Sequence, residues 1–420
     1  MDSYDLTSAI ITLSVIMAYI NYRFINLQST IAIMTGSLML SLLLIILQHT
    51  GVSNISSLTT HWMLSINFRD LLLKGMLSYL LFAGALTIDL DTLKSLKWEI
   101  GILASISTII SAFIIGYLMF YMLPLFGIHL PFLLCLLFGA LISPTDPIAV
   151  LATFKEIGAS KKLTACVAGE SLYNDGVGIV IFITISQLAF SGQAISFQNV
   201  ALLFLQQAIG GVAYGALLGY LINRLIRHID DTQMIILITL AIVTGAYSLA
   251  LAMDISGPLA MVTSGILIGH HLRKYKSHQT FTKIYFFWEI IDEILNAVLF
   301  LLIGFELLTI STSLSLLWAG LMTIPLVLLV RLITVAIPMK FLQLKRIHEP
   351  HTISILTWGG LRGGLAVALA LSLPESINRD IILTITFIVV TFAVIIQGTT
   401  IKTLTSKSTN QALKQDNRSK

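Results

Sequence analysis

Two acidic side chains interrupt an otherwise apolar stretch of this chain. Glu170 and Asp175 lie in the run Gly-Glu-Ser-Leu-Tyr-Asn-Asp-Gly-Val-Gly at 169–178, and Lys161 and Lys162 mark one end of the stretch. A helical rise of about 1.5 Å per residue places Asp175 roughly 20 Å inward from these lysines. A membrane's hydrocarbon core is about 30 Å thick, and an ionisable group deep inside it costs at least about 2.5 kcal/mol to insert. The two acids therefore predict an ion or proton pathway.

The polar residues around these acids share one face of the predicted helix. Residues four apart lie one above the other on a helix, and two such pairs occur here, Glu170 with Asn174 and Ser171 with Asp175. Oxygen ligands suit alkali cations, whereas zinc and copper favour His and Cys. A buried polar network that fixes helix packing is the alternative. The candidate cation and proton ligands are Thr145, Asp146, Glu170, Ser171, Asn174 and Asp175.

A further acid lies between two prolines in the run Ser-Pro-Thr-Asp-Pro at 143–147. Pro144 and Pro147 remove backbone donors and clash with the preceding turn, so the helix should be interrupted here. Inside a bilayer, a break of this kind is tolerated only where the freed backbone groups face protein or water. Asp146 lies roughly 13 Å from Lys155 along a helix, at a depth comparable with that of the acid in the following helix. The alternative is a proline kink whose acid caps the restarting helix.

A second break is predicted in the run Trp-Gly-Gly-Leu-Arg-Gly-Gly at 358–364. Paired glycines on both sides of Leu361 and Arg362 favour a discontinuous helix. Two interrupted helices at equivalent positions of two halves are typical of inverted-repeat transporters with a site at the membrane midplane. The glycines concerned are Gly359, Gly360, Gly363 and Gly364.

The composition requires a membrane protein that crosses the bilayer many times. Of 420 residues, 56% are hydrophobic and only 11% are charged, and the mean hydropathy is +0.91. The apolar runs reach twenty residues and more, which excludes a transmembrane barrel of about ten-residue alternating strands. Cys135 and Cys166 lie in apolar surroundings and suggest neither disulfides nor a metal cluster.

The apolar runs predict thirteen helical spans, of which the fifth and twelfth are the discontinuous, crossing helices. Spans 1–6 (7–190) and 8–13 (232–403) would form the two repeats, linked by span 7 (198–223). The predicted spans are 7–25, 30–49, 70–89, 99–123, 130–154, 162–190, 198–223, 232–251, 254–271, 286–309, 313–339, 351–373 and 380–403.

Loop charges predict the orientation of the chain. Connections after odd-numbered spans, together with the carboxyl tail, carry twenty of the 25 Lys and Arg residues, whereas connections after even-numbered spans carry only Arg69 and Arg379. Positive charge stays on the cytoplasmic side, so the amino terminus is expected outside and the carboxyl terminus in the cytoplasm. Residues 1–405 would form the membrane domain and residues 406–420 a short disordered tail. The small net charge of +4 thus reflects topology, and nucleic acid is not an expected partner.

Two arginines lie near the middle of apolar spans and need partners at that depth. The available acids are Asp146, Glu170 and Asp175. We expect Arg331 to pair with Glu170, and Arg362 to lie beside the broken helices, where its charge offsets carbonyl dipoles. Asp175 would then remain free to bind either a cation or a proton. Three further acids, Asp292, Glu293 and Glu306, are interpreted as interfacial.

Four motifs in combination give the chain a family resemblance. They are 143–147 and 169–175, quoted above, Leu-Phe-Leu-Leu-Ile-Gly at 299–304 and Gly-Gly-Leu-Arg-Gly at 359–363. With them the chain resembles sodium/proton antiporters of the NhaP and sodium/hydrogen exchanger branch, over nearly the whole membrane portion. The resemblance implies thirteen spans, a homodimer, a core domain that moves against a dimerisation domain, and sodium or lithium bound by the six candidate ligands. The pair Asn174 and Asp175 implies electroneutral exchange, and the tail is too short for the regulatory domain of animal exchangers.

The sequence thus predicts a plasma-membrane antiporter, in contact with lipid, that exchanges sodium for protons by alternating access. Sodium and protons would compete for Asp175, with Asp146 and Ser171 as further sodium ligands and Asn174 as a helix-fixing amide. No enzymatic activity and no cofactor beyond the transported ions are expected. The alternatives are a potassium/proton antiporter, a cation channel, and a sensor that does not transport.

Overall fold

The computed structural model describes residues 3–49, 70–190, 197–308, 310, 313–344 and 351–405. Over these residues the chain is almost entirely helical, and the β-type pairing is one isolated bridge between Asp146 and Leu361. Eight of the described helices are long and apolar enough to cross a membrane. The fold is that of an all-α polytopic membrane protein, as the composition predicts.

We number the helices in chain order. They are α1 (Ser3–Ile20, extended by a π turn Asn21–Ile25), α2 (Ser29–His49), α3 (Leu71–Thr87), α4 (Leu90–Ser95), α5 (Lys97–Phe126), α6 (Phe132–Ile142), α7 (Ile148–Ile157), α8 (Lys161–Phe190), α9 (Phe197–Ile226), α10 (Thr232–Ala252), α11 (Gly257–Tyr275), α12 (His278–Glu306), α13 (Leu314–Gln343), α14 (Thr352–Trp358), α15 (Gly364–Leu371) and α16 (377–405).

Each predicted span contains one of these helices, except that the fifth and twelfth each contain two short ones. The fifth span is divided into α6 and α7, and the twelfth into α14 and α15. The predicted bounds differ most at α12, which begins at His278 because the Ser277 hydroxyl accepts the Thr280 amide and caps the helix there. The count of thirteen crossings and the division into two repeats stay predictions. Residues 50–69 and the predicted tail 406–420 lie outside the described residues.

Small residues let α9 lie very close to α11. A Cβ added to Gly211 would lie 2.6 Å from the Ser256 carbonyl oxygen, and one added to Gly215 would lie 2.5 Å from that of Ala260. Without a hydrophobic driving force between helices in lipid, such backbone approach supplies the van der Waals contact that holds them together. The helices with the functional side chains therefore pack against a closely packed pair of helices, α9 and α11.

The three acids of α12 differ in how far they are covered by the rest of the protein. Glu306 is buried, with 5% of its surface exposed. Asp292 is half-buried and lines an interior cavity, while Glu293 is exposed and lines the same cavity. Their position at the membrane interface stays a prediction, and the packing of α12 against neighbouring helices decides which of the three acids is covered.

Candidate functional site

The first break separates α6 from α7, and hydrogen bonds to a side chain and to backbone groups satisfy its free backbone amides. The backbone amide of Asp146 donates to the Leu361 carbonyl at 2.8 Å. The Asp146 carboxylate accepts, through Oδ1, the amide of Ile148 at 3.0 Å. Asp146 thus does satisfy the start of α7, as the capping alternative required. It is also half-buried and lines the interior cavity, so capping does not exhaust its role.

The second break separates α14 from α15 and lies directly against the first. Gly363 faces Asp146 so closely that an added Cβ would overlap the Asp146 carboxylate. At Gly360, an added Cβ would lie 2.7 Å from Nε of Arg331 and 3.1 Å from the Thr145 methyl group. Glycine is needed at 360 and 363 because the side chains of Arg331 and Asp146 pack directly against the backbone there.

Arg362 supplies the positive charge at the crossing point of the two breaks. Its Nη1 donates to the carbonyls of Ser143 at 2.7 Å and Pro144 at 2.9 Å. These carbonyls end α6 and would otherwise be buried without a donor, because the prolines interrupt the helical ladder. Arg362 is 2% exposed, and its guanidinium lies where it offsets the negative end of the α6 dipole.

Arg331 of α13 forms an ion pair with Glu170 of α8. Its Nη2 lies 2.7 Å from Oε1 and 2.9 Å from Oε2 of Glu170, and it also donates to the Leu356 carbonyl at 3.2 Å. The two side chains are 5% and 2% exposed. Buried charges are tolerated when they are paired and hydrogen-bonded, so this pair links α8, α13 and α14 at the level of the site.

The Asn174 side chain joins α8 to the first break. Its Oδ1 accepts the Thr145 amide at 3.2 Å, while its Nδ2 donates to Thr145 Oγ1 at 2.8 Å and to Glu170 Oε1 at 3.3 Å. The hydroxyls of Thr145 and Ser171 are 3.1 Å apart. The amide therefore fixes the broken helix against α8, and the two hydroxyls remain adjacent to the acids.

Asp175 is the acid of this group that faces open space. It is half-buried, and none of the described residues forms a hydrogen bond or ion pair with its carboxylate. It lines a cavity of about 530 Å³ together with Asp146, and the charges of the two acids lie within interaction range. Nearly one turn further along α8, Gly178 packs against Pro144, which holds Asp175 opposite the break. A carboxylate without a fixed partner, reached through a cavity, can bind a proton or a cation.

The sequence comparisons place the chain in a family. A family model described as "Sodium/hydrogen exchanger, transmembrane" matches residues 10–407. The chain belongs to the sodium/hydrogen exchanger family. Among its relatives in this family, the Na(+)/H(+) antiporter NhaP of Pseudomonas aeruginosa is 45% identical over 402 residues, covering 94% of this chain and 95% of the relative. The Na(+)/H(+) antiporter NhaH of Halobacillus dabanensis is 34% identical over 349 residues, covering 81% and 83%.

The fold of this exchanger also matches a solved antiporter structure. The sodium proton antiporter MjNhaP1 from Methanocaldococcus jannaschii at pH 8 aligns with a TM-score of 0.73 at 19% identity, over 96% of this chain and 97% of that chain. At that level of identity the likeness establishes the shared fold.

The structure of this exchanger adds residues to the cavity that the sequence analysis did not assign to it. Asp292 and Asn296 of α12 line it, as does Glu289. A signal was present, since spacing of three and four residues puts these polar side chains on one helix face. The sequence could not show that this face turns inward, because the same pattern suits a helix surface in contact with lipid headgroups.

Proposed function

We propose that this exchanger is a secondary antiporter that moves sodium, and also lithium, across the membrane in exchange for protons. The observation that carries the proposal is the state of Asp175, a cavity-lining carboxylate with no partner among the described residues. The other buried charges at this level are engaged: Glu170 with Arg331, and Arg362 with two carbonyls. Asp175 is therefore left for the transported ions, with Asp146, whose Oδ1 accepts the Ile148 amide, on the same cavity.

Exchange follows from competition for this acid. A sodium ion at Asp175 and Asp146 takes its remaining ligands from hydroxyl oxygens, of which Ser171 and Thr145 offer an adjacent pair. A proton at Asp175 removes the charge that attracts the cation, so the two ligands do not bind together. Asn174 positions these groups without changing its own charge. If the protein changes access only when the carboxylate is neutralised, each sodium ion is exchanged for a proton.

The broken helices suit this transport cycle because they enclose the site and can move together. The bond from Asp146 to Leu361 and the Arg362 contacts hold both breaks together, so the ligands move as one group. One carboxylate that exchanges one sodium for one proton leaves the net charge moved at zero, which makes the exchange electroneutral. We also propose that the chain is a plasma-membrane homodimer with its amino terminus outside and its carboxyl terminus in the cytoplasm, as the loop charges and the family resemblance suggest.

Proteoliposomes test the proposal. Purified protein is reconstituted with a pH-sensitive dye inside the vesicles, and proton flux is recorded on addition of alkali chlorides, with and without a membrane potential. The wild-type protein should respond to sodium and lithium, and an imposed potential should not change the rate. Asp175→Ala should abolish the flux. Glu375→Gln, which changes an exposed acid whose ion pair among the described residues is with Arg379, should leave it unchanged. Full activity of Asp175→Ala would refute the proposal.

The same assay distinguishes the alternative functions. The relatives are named for sodium and proton exchange, so a potassium/proton antiporter is not favoured. A proton flux driven by potassium at least as strongly as by sodium would establish that alternative. A channel would conduct without saturating with sodium concentration, and a sensor on this scaffold would give no flux at all.

A further inference from the structure

The cavity that exposes Asp175 continues along one face of α12. Spacing of three and four residues brings polar side chains of that helix to a common face. The mechanism proposed above uses none of them. The residues of α12 that line the cavity with polar groups are Tyr285, Glu289, Asp292, Glu293 and Asn296.

Three oxygen atoms of cavity-lining side chains have no hydrogen-bond donor among the described residues, those of Gln28, Thr30 and Asn296, and the last two belong to buried residues. Asn296 is 2% exposed, and its Oδ1 is unpartnered. Thr30 of α2 is 7% exposed, and its Oγ1 also has no partner. Buried polar atoms are nearly always satisfied, so oxygens of this kind indicate a bound water or cation.

The packing of α2 against α12 puts Thr30 at the level of Asp292. Two contacts fix the register, Ser37 Oγ to the Phe300 carbonyl at 3.4 Å and Ser41 Oγ to the Gly304 carbonyl at 3.0 Å. Both helices advance by four residues between these contacts, so they run parallel. Thr30 precedes Ser37 by seven residues, and Glu293 precedes Phe300 by seven, so Thr30 and Glu293 lie at the same level. Thr30 lines the same cavity as Asp292, the neighbour of Glu293 in sequence.

The charges around this cavity favour a cation. Its lining carries five carboxylates, and its basic side chain among the described residues is Lys155, which pairs with Glu289 at 3.2 Å. The excess of negative charge in a low-dielectric cleft raises the local concentration of cations. The carboxylates are those of Asp146, Asp175, Glu289, Asp292 and Glu293.

We propose that Asp292, Asn296 Oδ1 and Thr30 Oγ1 form a second binding point for the transported monovalent cation, between the cavity mouth and the Asp146–Asp175 pair. One carboxylate with two neutral oxygens suits a partly hydrated alkali ion. The inference rests on the proposed function, since it assumes that a cation enters this cavity.

The position of Asp292 indicates how the second binding point contributes to transport. It lines the same cavity as Asp146, so a cation can pass from one acid to the other without leaving negative surroundings. Loss of the point slows the supply of cation to Asp175 and leaves the later steps unchanged. Its removal therefore raises the apparent KM for sodium and preserves the maximal rate.

The experiment compares sodium-driven proton flux of Asp292→Asn and Asn296→Ala with wild type in proteoliposomes. Both variants should raise the apparent KM by about tenfold, equivalent to about 1.4 kcal/mol of lost binding free energy. The matched control is Glu293→Gln, which removes an exposed acid of the same cavity. A general field would be screened by salt, so the Asp292→Asn effect should persist at high choline chloride.

Direct binding completes the test. Asp175→Asn protein, from which the transport site has been removed, should retain weak binding of ²²Na⁺ that the added Asp292→Asn change abolishes. If Asp292→Asn and Asn296→Ala keep the wild-type KM, or if Glu293→Gln raises it equally, the second binding point is refuted while the antiport proposal stands. If Asp175→Ala transports, the antiport proposal itself fails.

Discussion

The amide of Asp146 donates a hydrogen bond to the carbonyl of Leu361 at 2.8 Å, and this bond joins the two interrupted helices at their breaks. This bond belongs to the one isolated β-bridge among the described residues. It forms where the two segments of the chain are not helical. A change that displaces one break therefore displaces the other. The predictions below concern the groups that hold this arrangement.

The first prediction concerns Gly363. Alanine there would place a Cβ on the Asp146 carboxylate, so Asp146 must move or the break must open. Gly363→Ala should lower the affinity for sodium by about tenfold or more, equivalent to about 1.4 kcal/mol. Gly101→Ala, where an added Cβ meets nothing within 4 Å, is the control and should transport normally. Equal KM values for the two variants would show that Asp146 is not held by this contact.

The second prediction concerns the ion pair of Glu170 and Arg331. Removing either charge leaves the other buried and unpaired, which costs about 3–5 kcal/mol. Glu170→Ala and Arg331→Met should each lower the temperature of thermal unfolding in detergent, and Glu170→Gln combined with Arg331→Met should recover part of the loss. A stable, well-expressed Glu170→Ala protein with altered sodium affinity would instead make Glu170 a direct ligand.

The third prediction concerns Arg362. Arg362→Met removes the donor shared by the Ser143 and Pro144 carbonyls, and each unsatisfied buried group costs about 1–3 kcal/mol. Hydrogen exchange should become faster in peptides that contain 143–147 and in peptides that contain Leu361. Arg379→Met changes an arginine that pairs with an exposed glutamate and should leave these peptides protected. Unchanged protection in Arg362→Met would mean that the breaks are held by the backbone alone.

The fourth prediction concerns the ion pair at the cavity mouth. The side chains of Lys155 and Glu289 are 80% and 32% exposed, so the pair contributes at most about 1 kcal/mol to stability. Lys155→Gln removes a positive charge from the entrance, and the apparent KM for sodium should fall at low ionic strength. The difference should vanish in high salt, because exposed charges are screened.

Lys402→Gln provides the control for this variant. Lys402 pairs with Glu156 and is not among the residues that line the cavity. Its loss should leave the KM unchanged at every salt concentration. A KM for Lys155→Gln that is unchanged or higher at low salt would show that cations enter by another route.

Much of the site could be predicted because each residue type has few reasons to lie in an apolar span. The prolines at 144 and 147 and the glycines at 359–364 predicted the two breaks, which the structure contains. The strip from Glu170 to Asp175 predicted a common helix face, and the contacts of Asn174 and Ser171 follow from that spacing. Local chemistry therefore identified the acids and the helix breaks.

The sequence could not predict the role of Asp292. Its helix carries several acids, and a pattern of one chain segment does not show which neighbours cover each face. The structure turns Asp292 toward the cavity and buries Glu306, because α2 packs along α12 over a stretch that includes Ser37 and Ser41.

The sequence by itself determined that this chain is a bundle of membrane helices with buried acids and two interrupted helices. Those features follow from the cost of placing charge and unpaired backbone in hydrocarbon. The scarcity of charges in the apolar spans already led to the expected pairing of Arg331 with Glu170, which leaves Asp175 free. Only the tertiary structure decided which carbonyls Arg362 satisfies and that Asp292 lines the same cavity as Asp175. Those outcomes depend on distances between segments far apart in the chain, which hydropathy and spacing do not specify.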